Sequence, residues 1–253
     1  MTQYAMVIDL QKCTGCGACA LACKTGNNTA SYNNGQTHNW ADYQPEVKGT
    51  FPNTKYTMRP VLCNHCTNAP CVDACPVTPK AMFKTPEGIT MHNDERCIGC
   101  RLCQQACPYS QMEVPANSEA YSVISYNKAG SPYQPIFADK SELVPGITTS
   151  GAELAAKVGS VPPHRTAYSH PDYQDVRRGG ITEKCIFCEH RVKKGQPPNC
   201  VEACPSQARA FGDISDPSSE VARLIKKYKP SVLKPEAGTK PNVFYIREYS
   251  VRS

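Results

Sequence analysis

Long apolar runs are missing from this 253-residue chain. A helix that crosses a membrane needs about 20 mostly apolar residues, so we expect no direct membrane span. The first ten residues, MTQYAMVIDL, contain neither a basic segment followed by an apolar one nor twin arginines, so no secretory leader is predicted. We therefore expect either a cytoplasmic protein or one that is exported attached to a partner that carries the signal.

Apolar and aromatic side chains are also scarce, at 40% and 8% of the residues. An apolar core alone would be thin for a chain long enough to form one large domain or two small ones. The chain instead contains sixteen cysteines, about 6% of its residues, which is below the roughly 8–10% of short secreted disulfide scaffolds. Neighbouring cysteines on one tight loop also rarely reach disulfide geometry. We therefore expect the cysteines to bind metal.

One cysteine run carries the most specific signal. Residues 97–108, CIGCRLCQQACP, have the spacing Cys-x-x-Cys-x-x-Cys-x-x-x-Cys-Pro, which holds [4Fe-4S] clusters in bacterial-type ferredoxins. Three cysteines of such a run bind one cluster, and the fourth binds another. All sixteen cysteines fall into four groups of this kind, called here quartets one to four: Cys13, Cys16, Cys19 and Cys23; Cys63, Cys66, Cys71 and Cys75; Cys97, Cys100, Cys103 and Cys107; Cys185, Cys188, Cys200 and Cys204.

Zinc is the alternative that these spacings leave open. Quartets two and four, taken alone, resemble zinc sites with four thiolate ligands, so a zinc-stabilised interaction module is the competing interpretation. Quartets one and three argue against it, because three ligands separated by only two residues suit a multi-iron cluster better than one tetrahedral ion. The sequence therefore predicts four [4Fe-4S] clusters.

The formal net charge of +6 suggests an anionic partner such as nucleic acid. That count treats every cysteine as neutral. An oxidised cluster core carries about two positive charges against four thiolates, so four sites contribute about eight negative charges. Because the loaded protein is then slightly negative, no nucleic-acid partner is predicted.

Regular elements are predicted beside the quartets. Residues 4–10, YAMVIDL, form a buried strand that leads into quartet one, and residues 18–23 form a helix with Cys19 and Cys23 on one face. Clusters held by these two cysteines would lie roughly 10–12 Å apart. The stretches AMFK and ITMH, joined by a TPEG turn, form two strands before quartet three. No element is predicted in the polar residues 24–62.

The segment between quartets three and four is punctuated by Pro, Gly and Ser, and most of it is predicted to be surface loop. One helix is predicted there, with Ser150 as N-cap and Glu153 completing a capping box. Beyond quartet four, Asp216 and Pro217 start an amphipathic helix. The stretch NVFYIREY forms a final strand.

Two sets of basic side chains lie beside predicted ligands. His65 lies inside quartet two, but sixteen thiolates suffice for four clusters, so it is not expected to bind iron. Arg191, Lys193 and Lys194 lie in the eleven-residue gap of quartet four. They would either tune an anionic cluster or form a solvated basic loop.

An internal repeat relates the quartets in pairs. ITMHNDERCIGCRLCQQACP resembles YAMVIDLQKCTGCGACALAC, and APCVDACPVTPKAMF resembles PNCVEACPSQARAF. Only 21 residues separate quartets two and three, against 39 between one and two and 77 between three and four. We therefore predict a compact module of quartets two and three, with quartets one and four paired across it. The rival pairing combines one with two and three with four.

Exchange of the fourth cysteine within each pair predicts the ligands of every cluster. The four sets are Cys13, Cys16, Cys19 and Cys204 (cluster 1); Cys63, Cys66, Cys71 and Cys107 (cluster 2); Cys97, Cys100, Cys103 and Cys75 (cluster 3); and Cys185, Cys188, Cys200 and Cys23 (cluster 4). The chain then divides into an outer module (1–60 plus 182–253), a central module (61–109) and a loop-rich insertion (110–181).

Five stretches form a recognisable family pattern: CTGCGACALAC, CNHCTNAPCVDACP, CIGCRLCQQACPY, KCIFCEHRVKKGQPPNCVEACP and ARAFGD. In them the chain resembles the four-cluster iron-sulfur subunits of molybdopterin oxidoreductases, which include those of dimethyl sulfoxide, polysulfide, tetrathionate and arsenate reductases. The stretches MVIDLQKC, ACKTGNNT, GTFPNTKYT and KPEAGTKPNVFYIRE are similar to the respiratory arsenate reductase small subunit.

The resemblance implies an α+β fold of duplicated bacterial-type ferredoxin-like modules, each holding two [4Fe-4S] clusters. It implies an electron-transfer subunit of anaerobic respiration with no catalytic site of its own. Its partners would be a large molybdopterin-containing catalytic subunit, facing the outer module, and a membrane quinol-oxidising subunit or cytochrome. The substrate implied for the complex is arsenate or a related oxyanion or sulfur compound. The alternative is the iron-sulfur subunit of a formate dehydrogenase or hydrogenase.

Overall fold

The computed structural model describes residues 1–27, 29, 39–112, 121–127, 141–142, 144–158 and 179–248. The strands in this part of the chain are β1 (Tyr4–Asp9), β2 (Ala41–Lys48), β3 (Lys55–Leu62), β4 (Met82–Lys84), β5 (Thr90–His92), β6 (Ser125–Asn127), β7 (Ile181–Glu183), β8 (Arg209–Asp213) and β9 (Val243–Ile246). The helices are α1 (Ala18–Gly26), α2 (Pro70–Asp73), α3 (Leu102–Ala106), α4 (Gly151–Val158), α5 (Glu189–Val192), α6 (Asn199–Glu202) and α7 (Glu220–Lys227), with a 3-10 turn at Pro235–Ala237. Short strands and helices are interspersed, so the fold is α+β. Among these residues no helix is both long and apolar enough to cross a membrane.

Strand β1 is the centre of a three-stranded sheet, with β8 antiparallel on one side and β9 parallel on the other. The five residues after Tyr4 are buried, as expected for an apolar strand covered on both faces. Met6 and Ile8 pack into the main core, whereas Ala5 and Val7 pack into a smaller core beneath α7. The strand predicted before quartet one is therefore confirmed.

Helix α7 covers the smaller core but begins later than predicted. Ser219 is its N-cap, and the Ala222 N–H donates to the Ser219 hydroxyl at 3.1 Å. Asp216 and Pro217 lie in the turn before the helix because the Asp216 carboxylate accepts from a backbone N–H within that turn. Val221 is fully buried, which confirms the predicted apolar face.

Helix α4 has the predicted capping box. The Glu153 N–H donates to the Ser150 hydroxyl at 3.2 Å, and the Ser150 N–H donates to the Glu153 carboxylate at 3.3 Å. Two N–H groups that lack partners inside the helix are thereby satisfied.

The hairpin formed by β2 and β3 lies within residues 24–62, where no element is predicted from the sequence. The two strands pair in full, from Ala41 opposite Leu62 to Lys48 opposite Lys55. Most of the hairpin is exposed or half-buried, and only its inner end is buried. The sequence therefore lacks the apolar alternation by which a strand is recognised.

Part of the expected surface loop between quartets three and four is buried. Residues 121–125 are buried, and β6 pairs with β7 in antiparallel register, with Asn127 opposite Ile181. The prediction was wrong for this segment because its partner strand lies more than fifty residues away in the chain, so no local pattern indicates the pairing. The rest of the interval contributes α4 and residues outside the described ranges.

The quartets are framed in the same way on both sides of the repeat. Strand β1 precedes quartet one and pairs with β8, which follows quartet four. Strand β5 precedes quartet three and pairs with β4, which follows quartet two. Helix α1 packs against α6, and α2 packs against α3. Quartets one and four therefore lie together, as do quartets two and three.

Candidate metal centres

The loop of quartet one encloses the first candidate site. Gly15 and Gly17 have φ angles of 70° and 78°, a left-handed conformation that glycine adopts without steric cost. They wrap the loop tightly before α1 begins. The walls of the resulting cavity include the cysteines Cys13, Cys16, Cys19 and Cys204.

The loop of quartet three encloses a matching site. The walls of its cavity include the cysteines Cys75, Cys97, Cys100 and Cys103. In each cavity three cysteines come from one quartet, and the fourth is the last cysteine of the quartet that packs beside it. The two cavities are thus built in the same way.

Apart from Cys204, the cysteines of quartets two and four are buried, and so are the last cysteines of quartets one and three, Cys23 and Cys107. Burial raises the pKa of Cys23 well above its ordinary value, and the nearby Cys200 and Cys188 raise it further. Burial likewise raises the pKa of Cys107 to about 12, with Cys63 and Cys66 adding to the effect. The last cysteine of quartet one thus lies among those of quartet four, and the last cysteine of quartet three lies among those of quartet two.

Neighbouring sites are close enough to interact electrostatically. Burial raises the pKa of Cys200 to about 12, where Arg209 opposes the shift and Cys188 and Cys19 reinforce it. Burial and the nearby Cys23 and Cys63 raise the pKa of Cys185. Quartet four therefore lies between quartet one and quartet two.

The chemistry of the donors fits iron-sulfur clusters. All sixteen cysteines are free thiols, and in the described ranges no group of three or more histidine, cysteine or carboxylate side chains is arranged to hold a single ion. Four cysteines instead line each of the two matching cavities. Buried thiols crowded together resist ionisation, so a positively charged core that binds four thiolates would relieve both burial and repulsion.

His92 lies directly behind the quartet-three site. Its Nδ1 atom is 3.1 Å from the Asp94 carboxylate. Burial opposes protonation, but Asp94 and Cys97 raise the pKa of His92 to about 9. Burial would raise the pKa of the Cys97 thiol, but the neighbouring His92 outweighs it and lowers that pKa to about 7. The Thr182 hydroxyl lies 3.5 Å from the Cys103 sulfur, so β7 supplies a polar contact that sequence reasoning did not identify.

His65 packs between two quartets. Its ring stacks on Phe187 of quartet four, with centroids 3.6 Å apart and an interplanar angle of 17°. Its Nδ1 atom accepts from the Thr90 N–H at 3.2 Å, which orients the ring. Lys184, which is fully buried, donates beside it to the carbonyl oxygens of Thr90 and Cys185. The quartet-two and quartet-four loops are therefore held in direct contact by side chains that do not follow a sequence motif.

In the basic loop of quartet four, Lys193 and Lys194 are exposed and Arg191 is half-buried. Arg191 forms an ion pair with Glu202, and Lys193 forms one with Glu189. Beside quartet one the buried cation is Arg209, which is only 5% exposed and lines the quartet-one cavity. Arg209 is not identified from the sequence as part of this site, because the cysteine motif of quartet four ends before β8.

Two cysteines reach the surface. Cys16 and Cys100 are exposed, whereas the others are buried or half-buried. Each belongs to one of the two matching cavities, so these two sites are the ones that lie nearest to the solvent.

The chain matches models of known protein families. Two family models described as "4Fe-4S dicluster domain" match the chain, one over residues 54–125 and 162–214 and the other over residues 12–78. The matches overlap between residues 54 and 78, so they do not divide the chain into separate units.

Full-length relatives are also found. The arsenate respiratory reductase iron-sulfur subunit of Shewanella sp. (strain ANA-3) is 47% identical over 252 residues, which is 99% of each chain. A Halobacterium salinarum protein named for the iron-sulfur subunit of a dimethyl sulfoxide reductase is 32% identical over 254 residues, covering 97% of this chain and 79% of the relative. A tetrathionate reductase subunit of Salmonella typhimurium is 32% identical over 246 residues, covering 96% and 72%.

Proposed function

Because the chain belongs to the family of iron-sulfur electron-transfer subunits of respiratory reductases, we propose that it carries electrons through four [4Fe-4S] clusters to the catalytic subunit of such a complex. A bound cluster takes up and releases one electron at a time. When four cysteines bind each cluster, no iron is left open to a substrate. The chain is therefore an electron-transfer subunit and not the subunit that transforms the substrate.

The proposed ligand sets are those predicted from the internal repeat. The observation that supports them most directly is the composition of the two matching cavities, in which Cys204 joins three cysteines of quartet one and Cys75 joins three of quartet three. The burial of Cys23 beside Cys200 and of Cys107 beside Cys63 supports the other two sets. The strand pairing and helix packing on either side of the repeat favour an outer module (1–60 plus 182–253) and a central module (61–109).

The proposed electron path runs from quartet one through quartets four and two to quartet three, or in the reverse direction. Its first and second sites are linked by α1, which bears Cys19 and Cys23 one turn apart. Its second and third sites meet at the stack of His65 on Phe187. Helices α2 and α3 pack together between the third and fourth sites. The two terminal sites contain the exposed cysteines, where partners can approach closely.

For the complex as a whole, we propose reduction of arsenate or a related oxyanion or sulfur compound. The 47% identity to the arsenate respiratory reductase subunit over 99% of both chains supports arsenate. The partners would be a large molybdopterin-containing subunit at the outer module and a membrane quinol-oxidising subunit or cytochrome at the central module. Export to the periplasm with a signal-bearing partner fits these roles. A formate dehydrogenase or hydrogenase complex is the second candidate.

Metal analysis of the anaerobically purified chain with its co-purifying subunits tests the function. We expect about sixteen irons with an equal amount of acid-labile sulfide per chain, and a large molybdenum-containing partner that reduces arsenate. About four zincs without sulfide would reject the proposal. A partner without molybdenum would instead support the hydrogenase alternative, and arsenate-independent turnover of formate would support a formate dehydrogenase.

Serine replacement of single ligands tests the assignment. Under the proposed sets, Cys204→Ser and Cys13→Ser alter the same cluster signal in electron paramagnetic resonance (EPR) spectra. Under the rival pairing, Cys204→Ser instead alters the signal that Cys97→Ser alters. Cys107→Ser is the matched control, because it should change the signal that depends on Cys63. The spectra of these variants and of Cys63→Ser therefore distinguish the two pairings without a crystal structure.

A further inference from the structure

The two matching cavities each contain one buried basic side chain, but on different strands. Strands β1 and β8 place Ile8 opposite Arg209, and strands β4 and β5 place Met82 opposite His92. Ile8 lies five residues before Cys13, and His92 lies five residues before Cys97. Both members of each pair line their cavity. Each site thus has one apolar and one basic residue at the same cross-strand position, but the two residues are exchanged between the strands.

His92 and Arg209 differ in whether a carboxylate lies beside the basic group. His92 lies 3.1 Å from the Asp94 carboxylate, so a positive charge on the imidazole has a negative partner at hand. Arg209 forms no ion pair with a carboxylate anywhere in the described ranges. One amino group of its guanidinium lies 3.5 Å from the Met6 sulfur, and the other, Nη2, is buried without a hydrogen-bond partner among these residues. An arginine remains charged in proteins, so this site contains an unbalanced cation with a spare donor.

A buried cation beside a cluster affects the reduction of that cluster. A cluster gains one negative charge when it accepts an electron, and no bond is formed or broken. A nearby cation stabilises the reduced state more than the oxidised one, and its effect is large in a buried site of low dielectric constant. Hydrogen bonds to cluster sulfurs act in the same direction. The deeply buried Arg209 supplies such a cation, and its unpaired Nη2 group is a donor available in this site.

We propose that Arg209 raises the reduction potential of the cluster held by Cys13, Cys16, Cys19 and Cys204, as a fixed positive charge and hydrogen-bond donor to that cluster. This inference rests on the proposed ligand assignment. The corresponding position beside the quartet-three cluster is the apolar Met82. Arg209 is therefore a tuning residue that makes the two terminal clusters of the electron path unequal.

The test is an EPR-monitored redox titration of the full chain, purified anaerobically with its clusters and co-purifying subunits and reduced with dithionite. Arg209→Met, which installs the residue of the counterpart site, should shift the reduction equilibrium of one cluster at least ten-fold toward the oxidised form, about 59 mV for one electron. The shifted signal should be the one that Cys13→Ser alters. Arg209→Lys, which retains the charge, should shift it less.

Lys80 provides a matched control. It lies five residues after Cys75, as Arg209 lies five residues after Cys204, but it is exposed and its ammonium donates to the backbone carbonyls of α2. Lys80→Met should leave all four potentials unchanged, because an exposed charge is screened by solvent.

The inference is overturned if Arg209→Met retains sixteen irons and four unchanged potentials, or if the shift occurs in another cluster. If Arg209→Met does not retain its clusters, Arg209→Gln and Arg209→Lys decide the question, since equal potentials in those two variants would exclude a role for the charge. Absence of iron and sulfide from the unaltered protein would instead reject the proposed function itself. The two failures are therefore distinguishable.

Discussion

The substitution Gly99→Ala should be far more damaging than Gly15→Ala, although the two glycines occupy equivalent places in their quartets. Each follows the first cysteine of its quartet by two residues, and both have a φ angle of 70°. A Cβ atom at Gly15 would meet only the Met58 side chain, at 3.8 Å. A Cβ atom at Gly99 would lie 2.0 Å from the carbonyl oxygen of Gly180. The difference comes from β6 and β7, which pack on the quartet-three loop.

The magnitude follows from these contacts. Both alanines must adopt a left-handed conformation, which costs about 1–2 kcal/mol. At position 99 the Gly180 carbonyl must also move by about 1 Å, and such overpacking costs a further 1–3 kcal/mol or so. Gly180 cannot move freely because its N–H donates to the Asn127 carbonyl at 2.6 Å. For a chain of this size the extra cost corresponds to a Tm lower by about 2–12 °C than that of Gly15→Ala.

The assay compares the two variants with the unaltered protein by circular dichroism and visible cluster absorbance at one scan rate, because cluster loss makes unfolding irreversible. Iron content should fall first in Gly99→Ala, at the cluster that depends on Cys97. Equal Tm values for the two variants would refute the placement of Gly180 against quartet three. A larger loss in Gly15→Ala would refute it as well.

Two further substitutions probe the packing around the sites. Val221→Ala removes two methyl groups from the fully buried Val221 side chain of α7 and should reduce the free energy of unfolding by about 2 kcal/mol. Arg223→Ala on the exposed face should change it by less than about 0.5 kcal/mol. Thermal denaturation of both variants checks this, and equal effects would contradict the burial of Val221. Lys184→Met leaves the carbonyl oxygens of Thr90 and Cys185 without their buried donor and should cost about 1–3 kcal/mol. The loss of stability in Lys184→Met should appear as a faster loss of cluster absorbance on heating. An unchanged rate would show that the Lys184 ammonium does not stabilise the fold.

Prediction from the sequence succeeded where a pattern is local. The strand before quartet one, the helix bearing Cys19 and Cys23, and the capping box of Ser150 and Glu153 all have signals within a few residues. It failed for the hairpin of β2 and β3, whose exposed and half-buried strands show no alternation. It also failed for β6, whose partner strand lies more than fifty residues away in the chain, so that no local pattern indicates the pairing.

The sequence alone determined the kind of cofactor and the role of the chain, because cluster ligation requires several cysteines at short spacing and this requirement is written locally in each quartet. It also indicated the pairing of quartets through the internal repeat. The tertiary structure decided which side chains surround the clusters. Arg209 lines the quartet-one cavity because β8 pairs with β1 across some two hundred residues, whereas Lys80, at the same distance from its quartet, is exposed. Burial and charge balance depend on such long-range contacts, and no local pattern records them.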